Sequence, residues 1–225
     1  MSMDQVSMQG TMSNDMEKAT IIGDPRGSSA RHPLANPTTL GLFSFASSTF
    51  ILALYNLQTR GITQPNVIVG NAAACGGLGQ ILAGMWEFPR GNTFGATTFT
   101  SYGAFWIAYA IILIPGSGAR SAYPDVYEYN NAIGVFLVTW SFVTFFFCFA
   151  AMRQNVASVT LLALLSITLA LNAAGAFTSS ATVSKFGGGF GIVTAMCAYY
   201  IGLSELIASE RWIWRMPLGE LPKMP

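Results

Sequence analysis

Charge is what this 225-residue chain has least of: Asp, Glu, Lys and Arg make up 9% of it and hydrophobic residues 52%, whereas soluble globular proteins carry about 25% charged residues. The 11 Lys and Arg nearly balance the 10 Asp and Glu, which leaves no basic footprint for nucleic acid and no dense cluster for anionic headgroups. Histidine occurs once, at His32 beside Pro33, so an intramembrane histidine relay and a Ser-His-Asp or Cys-His catalytic set are excluded from the apolar stretches. The three cysteines, Cys75, Cys148 and Cys197, stand in separate apolar stretches without histidine, and neither a zinc site nor a disulfide framework is readable. They read as buried structural thiols. Nothing points to an enzyme, a metal or a cofactor.

What the chain has in quantity is long apolar sequence. A hydrocarbon core about 30 Å thick needs about 20 helical residues, and six charge-free stretches meet that length: 39–57, 67–86, 94–115, 130–152, 156–177 and 186–204. They are apolar nearly all round, unlike the amphipathic helices of a soluble domain, and runs such as 143–149 lack the period-2 alternation of a β-barrel. The fold class expected is therefore an all-α membrane protein, a six-transmembrane-helix bundle. Residues 1–38, rich in Met, Ser, Gly and Asp, read as a flexible cytoplasmic tail without a signal-peptide core, residues 39–208 as the membrane domain and 209–225 as a second tail.

Six spans put both termini on one side, together with Lys18, Arg26, Arg31, Arg90, Arg153, Arg211, Arg215 and Lys223, while Arg60, Arg120 and Lys185 face the other. That asymmetry predicts cytoplasmic termini. Small residues crowd the second stretch, from Gly70 to Gly84, and predict close helix packing. For Gly187-Gly188-Gly189 and Gly191 in the sixth stretch, a cavity-lining bend and close packing both stand.

Polar side chains inside spans are costly unless they face protein or water, which predicts that Ser44, Ser48, Thr49, Asn71, Gln80, Ser101, Thr168 and Asn172 point inward and mark a pathway. Leu161, Leu165, Thr168 and Asn172 recur on one helical face, as do Phe45, Ser48, Leu52 and Asn56. Such mixed stripes suit a narrow conduit for a small solute, or helix–helix hydrogen bonding. Glu87 and Glu205 are the carboxyl groups nearest membrane depth, where an ionised side chain costs about 2.5–3.5 kcal/mol at midspan. For Glu205 an interfacial position is expected, and for Glu87 proton carriage and simple anchoring both stand. Asn36-Pro37 and Asn92 precede spans as capping residues, and helix N-termini of this kind can also hold an anion.

The string from Gly91 to Trp106, GNTFGATTFTSYGAFW, with Asn36-Pro37 and Leu40-Gly41-Leu42 upstream, closely resembles the acetate uptake transporter family of bacteria and fungi. The resemblance runs from about Ala35 to Arg211. It implies a homo-oligomer, a hexamer, whose subunits each have their own central pathway for acetate and similar short-chain monocarboxylates. It also implies a constriction of one Phe, one Tyr and one Leu, carried by the motif match to Phe45, Tyr102 and Leu165. Asn36, Ser48, Thr49, Asn71, Gln80, Glu87, Asn92, Thr168 and Asn172 complete the expected substrate pathway. The chain departs from the family pattern at Thr38 and Thr39, where a small residue and a second proline are usual, and at Ser44 and Ala46 in place of glycines. Loss of that proline is expected to alter how the first span begins, and Ser44 and Ala46, beside Phe45, to narrow the neck or shift its preferred substrate size. Leu40-Gly41-Leu42-Phe43 and Ile133-Gly134-Val135-Phe136 echo each other three spans apart, as 3+3 inverted halves would.

The expected function is plasma-membrane transport of acetate, by proton-coupled carriage or as an anion through a gated pathway. The alternatives are an ammonia or ammonium exporter, a role attached to fungal relatives, and a non-transporting acetate sensor. The partners expected are small carboxylates, protons in the coupled case, and the bilayer, with no nucleic acid.

Overall fold

The computed structural model describes residues 34–210, 214 and 216–221. The expected N-terminal tail, with Lys18, Arg26, Arg31 and His32, lies outside these residues up to position 33, as do Arg211, Arg215 and Lys223. Residues from Ala35 onward form one compact unit with six helices long and apolar enough to cross a membrane: α1 (Thr38–Asn56), α2 (Ile68–Glu87), α3 (Thr93–Leu113), α4 (Val126–Ala151), α5 (Val156–Thr178) and α6 (Ala181–Ser209).

The helix starts carry their own chemistry. Asn92, Asp125, Asn155 and Ser180 each accept a hydrogen bond from a backbone N–H three residues on, at 3.0, 2.7, 2.8 and 3.4 Å, which satisfies donors that the first helical turn leaves free. α4 and α6 therefore begin four and five residues before the expected 130 and 186, because a helix can run past the hydrocarbon edge and a charge-free window cuts it there. Asn36 accepts from Thr38 N–H at 3.2 Å, with Pro37 between them at the cap position of α1.

α1 packs extensively on α6, α4 on α5 and α5 on α6, α2 packs on α1 and α3, and α3 meets α4 through the rings of Tyr102 and Phe105 against Phe136, Trp140 and Phe147, so the six close into a ring. α2 is not uniform: Ile68–Asn71 and Gln80–Glu87 are α-helical, whereas Ala72–Gly79 is π-helical. Its glycines sit against neighbouring helices. A Cβ on Gly76 would lie 2.7 Å from Ser48 Oγ and 2.8 Å from Trp106 Cγ, and one on Gly79 2.7 Å from Ser44 Oγ. The expected close packing is thus what α2 does. α6 is continuous through Gly187–Gly191, and a Cβ on Gly188 would meet the Ala53 carbonyl oxygen at 2.9 Å. The helix has no bend there: Gly188 serves contact, Gly189 meets nothing within 4 Å, and Gly187 and Gly191 line an internal cavity. Gly41 and Gly134 of the internal echo each receive a phenylalanine ring, Phe99 from α3 and Phe177 from α5.

The cysteines are half-buried, not buried as expected, and all are free. Each thiol lies 3.6–3.9 Å from a backbone carbonyl oxygen of a neighbouring helix. After α6, Gly219 and Leu218 carbonyls accept from Val156 and Ala157 N–H at 2.8 and 3.1 Å, which straps the C-terminal segment to the start of α5.

Candidate functional site

The ring encloses two cavities that meet end to end. The first, about 190 Å³, extends toward the ends of α1 and α3 and is walled by Phe45, Thr49, Asn56, Trp106, Leu165, Thr168 and Asn172 among others. The second, about 390 Å³, opens at the opposite end beside Asn36, Gln80, Arg90, Asn92, Ser158 and Glu205. Only Phe45 and Tyr102 belong to both walls. At about 30 Å³ per liquid water, either cavity accommodates a two-carbon acid.

Phe45 and Tyr102 are both buried, with ring centroids 5.6 Å apart. Trp140 at 6.3 Å and Phe147 at 5.8 Å hold the other sides of the Tyr102 ring. Leu165 is equally buried and lines the first cavity beside them. The Tyr102 hydroxyl donates to Thr144 Oγ1 at 3.0 Å, and Thr144 in turn donates to the Trp140 carbonyl oxygen at 2.8 Å. The phenol proton is therefore engaged, and what Tyr102 has left is acceptor capacity.

Of the other expected pathway residues, Thr49, Thr168 and Asn172 line the first cavity and Asn36, Gln80 and Asn92 the second. Ser48 and Asn71 line neither: Asn71 Nδ2 donates to Ser48 Oγ at 2.8 Å and ties α2 to α1. The expected stripe on α1 is thereby corrected at its serine, which faces the adjoining helix. Asn56 Nδ2 donates to Asn172 Oδ1 at 3.0 Å across the first cavity's far end. Ser44 faces Gly79 and Ala46 is fully buried in packing, and neither lines a cavity. They do not narrow the neck as expected, since the side chains flanking Phe45 along α1 point to other faces of the helix.

Glu87 is fully buried and lines neither cavity. One carboxyl oxygen accepts from the Thr38 hydroxyl, and the other from Asn92 Nδ2 at 2.9 Å, with Arg90 at 3.5 Å. Gly91, at φ +75°, permits the tight turn that brings Arg90 and Asn92 back over it. Arg90 also donates to Asn36 Oδ1 at 2.6 Å, and Asn36 Nδ2 donates to Glu205 at 2.9 Å. Glu205, expected at the interface, is half-buried and lines the second cavity. Sequence reasoning missed Arg90 as a wall residue, although its place two residues before the Asn92 cap was a usable signal.

Several buried polar atoms have no partner among the described residues: Thr49 Oγ1 and Trp106 Nε1 in the first cavity, and both amide atoms of Gln80 in the second. Each such group costs about 1–3 kcal/mol unless water or a ligand engages it.

A ring of six apolar helices around two cavities that abut at an aromatic pair defines a helical membrane protein with an internally hollow bundle. Residues 24–223 match the GPR1/FUN34/yaaH family, and the chain belongs to it, a family of transporters and channels, not of enzymes. The fold matches that of the solved bacterial acetate channel SatP with a TM-score of 0.74 and 32% identity, over 83% of this chain and all of that one. Acetate permease A of Emericella nidulans is 38% identical over 85% of this chain and 68% of its own length. Ammonia transport outward protein 2 of Saccharomyces cerevisiae is 40% identical over 75% of this chain. The chain spans 60% of that yeast protein's length.

Proposed function

We propose that the chain moves acetate and comparably small monocarboxylates across a membrane through the two cavities, with Phe45, Tyr102 and Leu165 as the neck. The observation that carries this is the sharing of Phe45 and Tyr102 by two otherwise separate cavities. A solute passing between them must slip past those rings. The neck offers apolar surface to a methyl group, while Thr49, Thr168 and Asn172 on one side and Gln80 on the other replace hydration at the carboxyl end. The names of the Emericella permease and the bacterial channel support acetate as the substrate. The charge asymmetry between loops supports cytoplasmic termini in a plasma-membrane protein. A homohexamer with one pathway per subunit is part of the same proposal.

The test is uptake of labelled acetate into proteoliposomes, corrected for protein-free vesicles and repeated with lactate and with Leu165→Ala. Protein-dependent uptake of acetate over lactate supports the proposal, and its absence refutes it. A second reading, ammonia or ammonium export, draws on the yeast relative's name and on the carboxyl groups of Glu87 and Glu205 near the mouth. No carboxyl group lies at the neck to receive a cation among the described residues. Ammonium that competes with acetate, or moves in its place, would favour that reading.

A further inference from the structure

Besides its two internal cavities the bundle carries a groove of about 550 Å³, walled by α6 from Thr182 to Val193, by Leu57 at the end of α1 and by Leu164 of α5. Phe186, Gly189, Phe190 and Val193 lie on one face of α6, and it faces away from the ring's interior, with Phe186 63% and Val193 54% exposed. Gly189 sits in the middle of this face, where a Cβ would meet nothing within 4 Å. Glycine weakens a helix interior relative to alanine, and no neighbouring helix requires it at this position as one does at Gly188. Its effect is a hollow in a wall of large apolar side chains.

The groove has the depth of one leaflet. From Lys185 to Val193 α6 rises about 12 Å, at about 1.5 Å per residue, and half of a hydrocarbon core about 30 Å thick is about 15 Å. Leu57 caps the end of α1 and marks the same end of the bundle as the start of α6, whereas Leu164 stands near the middle of α5. One end of the groove is therefore at an interface and the other near the midplane.

Its one charge is at the interfacial end. Lys185 is exposed, and Thr182, one turn before it, lines the groove beside it. The ion pair among the described residues joins Arg90 to Glu87, which leaves Lys185 without a carboxyl partner among them. Every groove residue deeper than Lys185 is apolar. A cation and a hydroxyl at the interface, followed by an apolar trough of leaflet depth, complement a phospholipid: its phosphate accepts from the ammonium group and its acyl chain lies along the trough. Snorkelling explains a lysine at the rim, and fluid lipid covers any apolar face, but neither calls for a hollow at Gly189.

We infer that this groove is a phospholipid-binding site, with the phosphate on Lys185 and one acyl chain laid over Gly189 toward Leu164. The site stands independently of the acetate pathway, whose two cavities share no residue with it.

The test is native mass spectrometry of the detergent-purified full chain, titrated with dioleoyl phosphatidylglycerol and with dioleoylglycerol, which has the same chains without the phosphate. The expected result is a saturable site, one lipid per chain, that binds the phosphatidylglycerol about fivefold more tightly, the effect of one interfacial lysine. Lys185→Gln is expected to remove that preference, and Gly189→Leu, which fills the hollow, to weaken binding of both lipids about tenfold or more. Thermal midpoints identify the folded variants, and Lys185→Gln, which alters only an exposed side chain, carries the test if Gly189→Leu does not fold. Absence of a saturable site, equal affinity of the unaltered protein for the two lipids, a preference that survives in Lys185→Gln, or undiminished binding by folded Gly189→Leu would each overturn the inference. So would an unaltered oligomer that takes up no lipid and falls to smaller assemblies as Gly189→Leu, since a second copy of the chain would then fill the groove.

Discussion

Replacing Glu87 by alanine should unfasten one end of the bundle. The side chain joins the start of α1, through Thr38, to the cap of α3, through Asn92, from a fully buried position at the end of α2. Hydrogen bonds to a charged group contribute about 1.5–3 kcal/mol each, and two such bonds are lost. The Arg90 contact adds little, being 3.5 Å long with the Arg90 side chain 32% exposed, a setting in which ion pairs are worth about 0–1 kcal/mol. Glu87→Ala should therefore cost about 3–5 kcal/mol. Glu87→Gln keeps the shape, can accept from Asn92 through its amide oxygen and donate to the Thr38 hydroxyl, and loses only the charge on those bonds, so it should cost about 1–2 kcal/mol.

The assay is equilibrium unfolding of the purified protein in mixed micelles, with thermal midpoints as a second readout, in the order unaltered, Gln, Ala. A Glu87→Ala protein within about 0.5 kcal/mol of the original, the scatter of ordinary surface changes, would refute the fastening role. Transport separates anchoring from proton carriage, the two readings open from sequence. If Glu87 anchors, Glu87→Gln should retain acetate uptake wherever it folds. A folded Glu87→Gln protein without uptake would instead mark the carboxyl group as a proton carrier.

Leu165→Ala and Phe45→Ala should each raise lactate uptake relative to acetate about tenfold or more, because pocket discrimination by single carbon groups is of that order. An unchanged ratio in proteoliposomes would count against the neck. Tyr102→Phe keeps the ring, and Thr144 keeps its bond to the Trp140 carbonyl oxygen, so it should cost about 1 kcal/mol or less and leave the size cut-off unmoved; a shifted lactate-to-acetate ratio would contradict this. Gly103→Ala puts a Cβ 2.8 Å from the Gly77 carbonyl oxygen and 2.9 Å from the Ile81 backbone nitrogen, and should destabilise by about 1–3 kcal/mol. Gly189→Ala meets nothing within 4 Å and should be neutral or stabilising by up to about 1 kcal/mol; equal midpoints for the two variants would contradict the contact assignment.

Number, order and approximate length of the spans are legible in the sequence because a bilayer imposes one requirement, about 20 apolar residues, on every crossing helix. What that requirement cannot mark is where a helix continues outside lipid, hence the earlier starts of α4 after Asp125 and of α6 after Ser180. The stripe on α5 is legible for the same reason that it is regular: Leu161 reaches the second cavity and Leu165, Thr168 and Asn172 the first, as one face of an α-helix should. The stripe on α1 failed at Ser48, since spacing gives a shared side of a helix but not the width of that side. Ser48 lies at its edge, where Asn71 and Gly76 of α2 approach.

The π-helical stretch of α2 explains the remaining gap, and it bears on the proposed pathway. Residues that face α1 from α2 are Asn71, Cys75 and Gly76, then Gly79, a repeat longer than the 3.6 residues that sequence periodicity assumes. Hydrogen bonds from i to i+5 widen the helix and slow its rotation per residue, so the small residues of Ala72–Gly79 stay against α1 and α3 for longer than an α-helix would allow. The α-helix then resumes at Gln80, and that resumption sets the bearing of everything after it. Gln80 reaches the second cavity, and Glu87, seven residues on, meets Thr38 and Asn92 at the bundle's end. A pure α-helix from Ile68 to Glu87 would turn further over those eight residues and carry both side chains to a different face. The run of glycine and alanine in α2 thus does more than let helices approach: it permits the wide turns that set Gln80 in the wall of the second cavity.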